Sequence, residues 1–73
     1  MAKRSEYYFS NYESYENAKN AIYHASPRAY EKLYWEGKCG DNYYVSLYDD
    51  LTQEEVEMVA GRIREFGGQY HPF

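Results

Sequence analysis

The stretch Asn42-Tyr43-Tyr44-Val45-Ser46-Leu47-Tyr48, followed after Asp49 and Asp50 by Leu51-Thr52-Gln53-Glu54-Glu55-Val56, decides how this chain folds. In its first half Tyr43, Val45 and Leu47 alternate with Tyr44, Ser46 and Tyr48, the period-two pattern of a strand that turns one side to a core. In its second half Thr52 and Glu55 have the spacing of a capping box, and Leu51 and Val56 that of a hydrophobic staple. Val56, Val59, Ala60, Ile63 and Phe66 continue at three- and four-residue intervals and make one apolar stripe. Gly67 stands where a helix ends in the left-handed region. The reading is a strand over 42–48 and a helix over 53–66. Gly61, beside Ala60, leaves a flat patch on that helix for close packing, at a helix-propensity cost of about 1 kcal/mol.

Upstream, a second helix begins near Asn11 or Tyr15, with Ser10 through Glu13 fitting a capping box and Ser14 a rival cap. Tyr15, Ala18, Ile22 and Ala25 form its stripe. Ser26-Pro27 halts it and opens another, because proline favours the first helical position and serine the cap before it. Ala29, Tyr30, Leu33 and Tyr34 extend this third helix to about residue 36, with Gly37 closing it. A strand over 29–36 is the alternative. Glu6–Phe9 and Gln69–Phe73 read as short strands, the latter held to a sheet edge by Pro72, and residues 1–4 read as frayed. The order β-α-α-β-α-β predicts a single small α+β domain of two layers, two or three helices on a three-stranded sheet. With 29–36 as strand the order becomes the ferredoxin-like βαββαβ.

Size and composition bound the rest. A chain of 73 residues buries about 60% of its unfolded surface. Eleven of those residues are tyrosine, more rings than a core this small can hold, so several are expected at the surface. The mean hydropathy of −0.95 reflects tyrosine being scored as polar; an aromatic content of 21% argues for a folded chain. One cysteine, Cys39, excludes an internal disulfide and fits a reducing compartment. No apolar run approaches ~20 residues, and no apolar core follows Lys3 and Arg4, so a cytoplasmic location and no membrane contact are expected.

Chemistry finds little foothold in the sequence. His24, Cys39 and His71 lack the close spacing of a zinc site, the acidic residues do not form a calcium loop, and the glycines do not form a phosphate loop. No serine has a sequence-visible base, and a domain this small seldom encloses a pocket that shifts carboxylate pKa values. The expectation is a protein that is not an enzyme, with no cofactor and no metal.

A binding surface is the better reading. Tyr44 and Tyr48, with Tyr8 from the first strand, are expected on an open sheet face, since tyrosine is enriched at binding hot spots. Trp35 is either a plug at the core edge or an exposed anchor. Asp49, Asp50, Glu54 and Glu57 gather at the start of the last helix, and Glu13 and Glu16 extend this acidic area if the two helix starts lie close together. The formal net charge is −4, and beyond Arg4 six cations face twelve carboxylates. That balance repels phosphate backbones and suits a protein partner with a basic or nucleic-acid-binding surface.

In size, acidity and aromatic content the chain is similar in character to phage-encoded inhibitors of host defences, the anti-CRISPR and anti-restriction proteins. That likeness is one of composition, and it implies an inhibitor that places carboxylates where phosphates would sit and tyrosines where bases would stack. The alternatives are a single-stranded nucleic-acid-binding module that uses the sheet tyrosines, and an accessory subunit that is a homodimer through them rather than a monomer.

Overall fold

A computed structural model describes residues 2–72. The elements in chain order are β1 (Lys3–Phe9), α1 (Tyr12–Ala25), α2 (Pro27–Lys32), β2 (Tyr34–Cys39), β3 (Asn42–Tyr48), α3 (Gln53–Glu65) and β4 (Gln69–Tyr70). The four strands form one sheet in the order β2-β3-β1-β4, and every neighbouring pair is antiparallel. This is the mixed α+β class expected, but with four strands rather than three. The connectivity is the βαββαβ alternative, with α2 added as a short helix between α1 and β2.

β1 and β3 occupy the centre, with Tyr7 opposite Val45, Tyr8 opposite Tyr44 and Phe9 opposite Tyr43. Because side chains alternate, this register sends Tyr7, Phe9, Val45 and Leu47 to one side, where they are buried with Tyr15, Ala18 and Ile22 of α1 and Val59, Ala60 and Ile63 of α3. The molecule is 16 Å through its thinnest direction, the thickness of one helix layer on one sheet. Helices cover only the Tyr7 side.

The helix ends follow local rules. Thr52 and Glu55 make the reciprocal capping box. Gly67 has φ 90° and donates to Arg64, while Gly68 donates to Ile63, which completes a Schellman motif. Ser26 caps α2 ahead of Pro27. At α1 the cap is Asn11, whose side chain accepts from the Ser14 amide; neither Ser10 nor Ser14 serves, and Ala25 is exposed.

The largest departure lies at 33–39. The third helix stops at Lys32, and Leu33 (ψ 150°) turns the chain into β2. Ala29, Tyr30 and Leu33 do face the core, so the helical spacing was real over one turn but did not continue. Gly37 belongs to an irregularity in the pairing of β2 with β3 and does not close a helix. A two-residue loop, Gly40-Asp41, joins β2 to β3, and Gly40 alone has positive φ (66°), the type II′ pattern.

Two smaller expectations also change. Lys3 and Arg4 are not frayed: they lie in β1, where Arg4 donates to Leu51 O and to Gln53 Oε1, and Ala2 exchanges hydrogen bonds with Asp49. The last strand is shorter than read, Gln69–Tyr70, at the sheet edge; Phe73 lies outside the described residues.

Gly61 does not serve close packing, since a Cβ there meets nothing within 4 Å. At Gly68 a Cβ would run into Ile63 and, at 2.8 Å, into the Phe9 ring. Gly61→Ala is therefore expected to stabilise the fold by about 0.5–1 kcal/mol through helix propensity. Gly68→Ala is expected to destabilise it by about 1–3 kcal/mol through overpacking. Urea unfolding of the two variants reads both signs.

Candidate functional site

The side of the sheet away from the helices is built by four strands. β1 contributes Glu6 and Tyr8, β3 contributes Tyr44, Ser46 and Tyr48, β2 contributes Tyr34 opposite Ser46, and β4 contributes Gln69 with His71 just beyond it. Tyr8, Tyr44 and Tyr48 are half-buried, and Tyr34 is 56% exposed. Tyr8 and Tyr44 lie 6.0 Å apart between ring centroids. His71 stands edge-on to both, 6.0 Å from Tyr8 and 5.3 Å from Tyr44.

Beneath this triangle the floor is polar. The Glu6 side chain is only 9% exposed, and its carboxylate lies 3.0 Å from His71 Nδ1, accepts from Ser46 Oγ at 3.4 Å and pairs with Lys3 Nζ at 3.4 Å. Burial opposes ionisation of Glu6, but His71 and Lys3 outweigh it and hold the carboxyl below the ordinary carboxylate range. Tyr8 donates to Gln69 Oε1 at 3.1 Å. His71 also donates its backbone N–H to Glu6 O, which extends the β4–β1 pairing by one residue. First and last strands thus hold one another through the floor of this face.

Of the site residues read from sequence, Tyr8, Tyr44 and Tyr48 share this face. Ser46, which alternates onto the same side between Tyr44 and Tyr48, is wholly covered. Trp35 lies on the helix side of the sheet, half-buried between Tyr15 and Tyr30, with its Nε1 donating to Tyr30 O and Lys19 Nζ 5.7 Å from its ring. It packs on the core edge.

Asp49 and Asp50 are exposed in the turn after Tyr48, and Glu54 and Glu57 are exposed on the first turns of α3. Cations interrupt this acidic group. Arg4 reaches Leu51 and Gln53, and Lys32 bonds Asp50 O and pairs with Glu55 at 3.1 Å. The Thr52 amide, with Lys32, holds the Glu55 carboxyl low.

Glu13 and Glu16 do not extend the group. α1 starts beyond the Phe9 end of β1, whereas α3 starts beyond the Tyr48 end of β3, which pairs with Lys3. The antiparallel pairing of β1 with β3 sets the two helix starts at opposite ends of the sheet.

Glu6, Tyr34, Gln69 and His71 were missed. Alternation in Glu6-Tyr7-Tyr8 already places Glu6 beside Tyr8, but only the long-range pairing of β4 with β1 brings in Gln69 and His71. A second aromatic group was also missed. Tyr12, Tyr43, Tyr15, Trp35, Tyr30 and Tyr23 form an unbroken chain of rings along α1, α2 and the β2–β3 hairpin, with successive centroids 5.3–5.8 Å apart. Burial pushes up the Tyr15 phenol in this chain, and its oxygen accepts from the Gly37 amide.

Only Tyr7 and Tyr15 among the eleven tyrosines are buried. Among the described residues, no group of three His, Cys, Asp or Glu side chains is placed to hold a metal ion, and no helix is long and apolar enough to cross a membrane. A shallow groove of about 360 Å³ on the exposed side of α3 is lined by Glu57, Met58, Gly61, Arg62 and Glu65, and holds the Arg62–Glu65 ion pair at 2.8 Å. No protein-family model, curated protein or solved structure matches the chain.

The depressed Glu6 carboxyl fixes a pH dependence. Its contribution to stability is complete above the ordinary carboxylate range and is lost as pH falls through the lower folded-state value. Glu6→Gln is expected to cost about 1–2 kcal/mol near neutral pH, from lost charge-assisted hydrogen bonds. The gap to the wild type should shrink as pH falls from neutral through that lower folded-state value, because the wild-type carboxyl then takes up a proton as well. Denaturant unfolding across that range measures it, and a gap that grows in acid counts against this role for Glu6.

Proposed function

We propose that the protein is a small non-enzymatic binding domain that docks a protein partner on its open sheet face and thereby blocks or modulates it. The observation that carries this reading is the Tyr8–Tyr44–His71 triangle, three rings on an uncovered sheet with a satisfied polar floor. Rings held by strands lose little conformational freedom on binding and present large contact area with polar tips. Asp49 and Asp50 continue the face at its Tyr48 end and supply the negative charge that draws a basic surface. Acidity and aromatic content shared with phage-encoded inhibitors extend the proposal to a partner that handles nucleic acid, with the domain occupying its basic surface.

A second reading has one observation in its favour. Tyr8 and Tyr44 lie directly opposite one another on the two central strands, the placement used by sheets that stack single-stranded RNA bases. The net charge of −4 opposes it. Affinity for single strands that falls steeply with added salt would favour this reading over the first.

Affinity capture from the native host tests the main proposal. Tyr44→Ala combined with Tyr48→Ala is expected to lose the captured partner while the far-ultraviolet spectrum stays native. Asp49→Lys with Asp50→Lys is expected mainly to slow association, more so at low salt. Undiminished capture by the tyrosine variant removes the sheet face as the docking surface.

A further inference from the structure

We infer that the Tyr8–Tyr44–His71 triangle seats a single arginine side chain of the partner, an assignment that rests on the open sheet face being the docking surface. Donors and acceptors at the triangle define what fits. An ionised carboxylate only accepts, so His71 Nδ1, 3.0 Å from Glu6 Oε1, must carry a proton. In the neutral ring the lone pair is then on Nε2, on the far side of the imidazole from Glu6. Tyr8 directs its hydroxyl proton to Gln69 Oε1 and keeps its oxygen lone pairs. The triangle therefore presents aromatic faces, with the oxygen of Tyr8 and, the imidazole being neutral, Nε2 as acceptors. The Tyr44 hydroxyl can accept as well as donate, while the donors of Tyr8 and of Nδ1 are engaged within the chain.

The complementary group is flat, cationic and donor-only. A guanidinium meets all three conditions: it stacks on aromatic faces and donates in its own plane. A lysine ammonium lacks the plane and holds its water more tightly. A nucleobase has the plane, but it brings phosphates toward Asp49 and Asp50, which follow Tyr48 in the exposed turn. The cations of β1 are already engaged, Lys3 with Glu6 and Arg4 with Leu51 and Gln53. Charge complementarity with a chain of net −4 points the same way.

The test is a nuclear magnetic resonance titration of the full chain with the blocked peptide Gly-Gly-Arg-Gly-Gly, run beside counterparts carrying lysine or citrulline at the central position. A short oligouridylate at equal ionic strength completes the set. The arginine peptide is expected to give saturable shifts in the Tyr8, Tyr44 and His71 ring signals. Citrulline, equal in shape but uncharged, should bind about tenfold more weakly. Tyr44→Leu should weaken the arginine response about fivefold, whereas Tyr44→Phe, which keeps the ring face, should stay within about twofold of the wild type.

Equal binding of citrulline, shifts centred on Tyr12 and Tyr23, or tighter binding of the oligouridylate would each overturn the assignment. If the arginine peptide gives no response while partner capture still depends on Tyr44 and Tyr48, the arginine seat falls and the docking face stands. If capture is indifferent to both tyrosines, both fall.

Discussion

The antiparallel register of β1 against β3 is the constraint from which the rest of the molecule follows. Pairing Tyr7 with Val45 and Tyr8 with Tyr44 assigns every side chain of the two central strands to one side or the other. A one-residue slip of β1 against β3 would carry Tyr7 and Phe9 away from the helices and put Glu6 and Tyr8 into the apolar layer. The same register turns the two strand ends in opposite directions. That sends α1 and α3 off from opposite ends of the sheet and separates Glu13 and Glu16 from the acidic group near Tyr48.

Tyrosine is used in two distinct ways on the two sides. On the helix side, Tyr12, Tyr15, Tyr23, Tyr30 and Tyr43 fill the margin where a short α2 and an edge hairpin leave the core incompletely covered, and Trp35 joins them. Rings there extend a small apolar core outward, with phenol oxygens at its wet boundary. On the other side, Tyr8, Tyr34, Tyr44 and Tyr48 cover no apolar layer. They surround a carboxylate whose partners are a histidine, a lysine and a serine. A buried charge with such partners is costly to strip of any one of them, so these contacts hold the floor of this face in place.

What could be read in the sequence was whatever depends on near neighbours. The Thr52–Glu55 capping box, the Ser26-Pro27 helix start, the strand at 42–48 and the stop at Gly67 are all set by residues within one turn or one pleat of each other, and all stand. β2 was obscured because Ala29, Tyr30 and Leu33 repeat at helical spacing and do face the core, so a true local signal carried past its end. The signal that separates strand from helix there is the Gly40-Asp41 loop before Asn42, a two-residue hairpin connection. Tyr8, Tyr44 and Tyr48 were legible as a shared face from alternation alone. Alternation places Glu6 beside Tyr8 too, but its contact with His71 was not legible, because it spans 65 positions of chain and depends on β4 lying beside β1.

That contact has a consequence for how the protein comes into being. Synthesis runs from the amino end, so β1 is made well before Gln69, Tyr70 and His71, the last of them 65 positions beyond Glu6. Until they arrive, Glu6 is without the imidazole and backbone amide it bonds in the finished fold, and the ring triangle is missing a corner. The side of the sheet opposite the helices is thus completed only once residues 69–71 have joined β1, whereas the pairing of β1 with β3 lies wholly upstream of them.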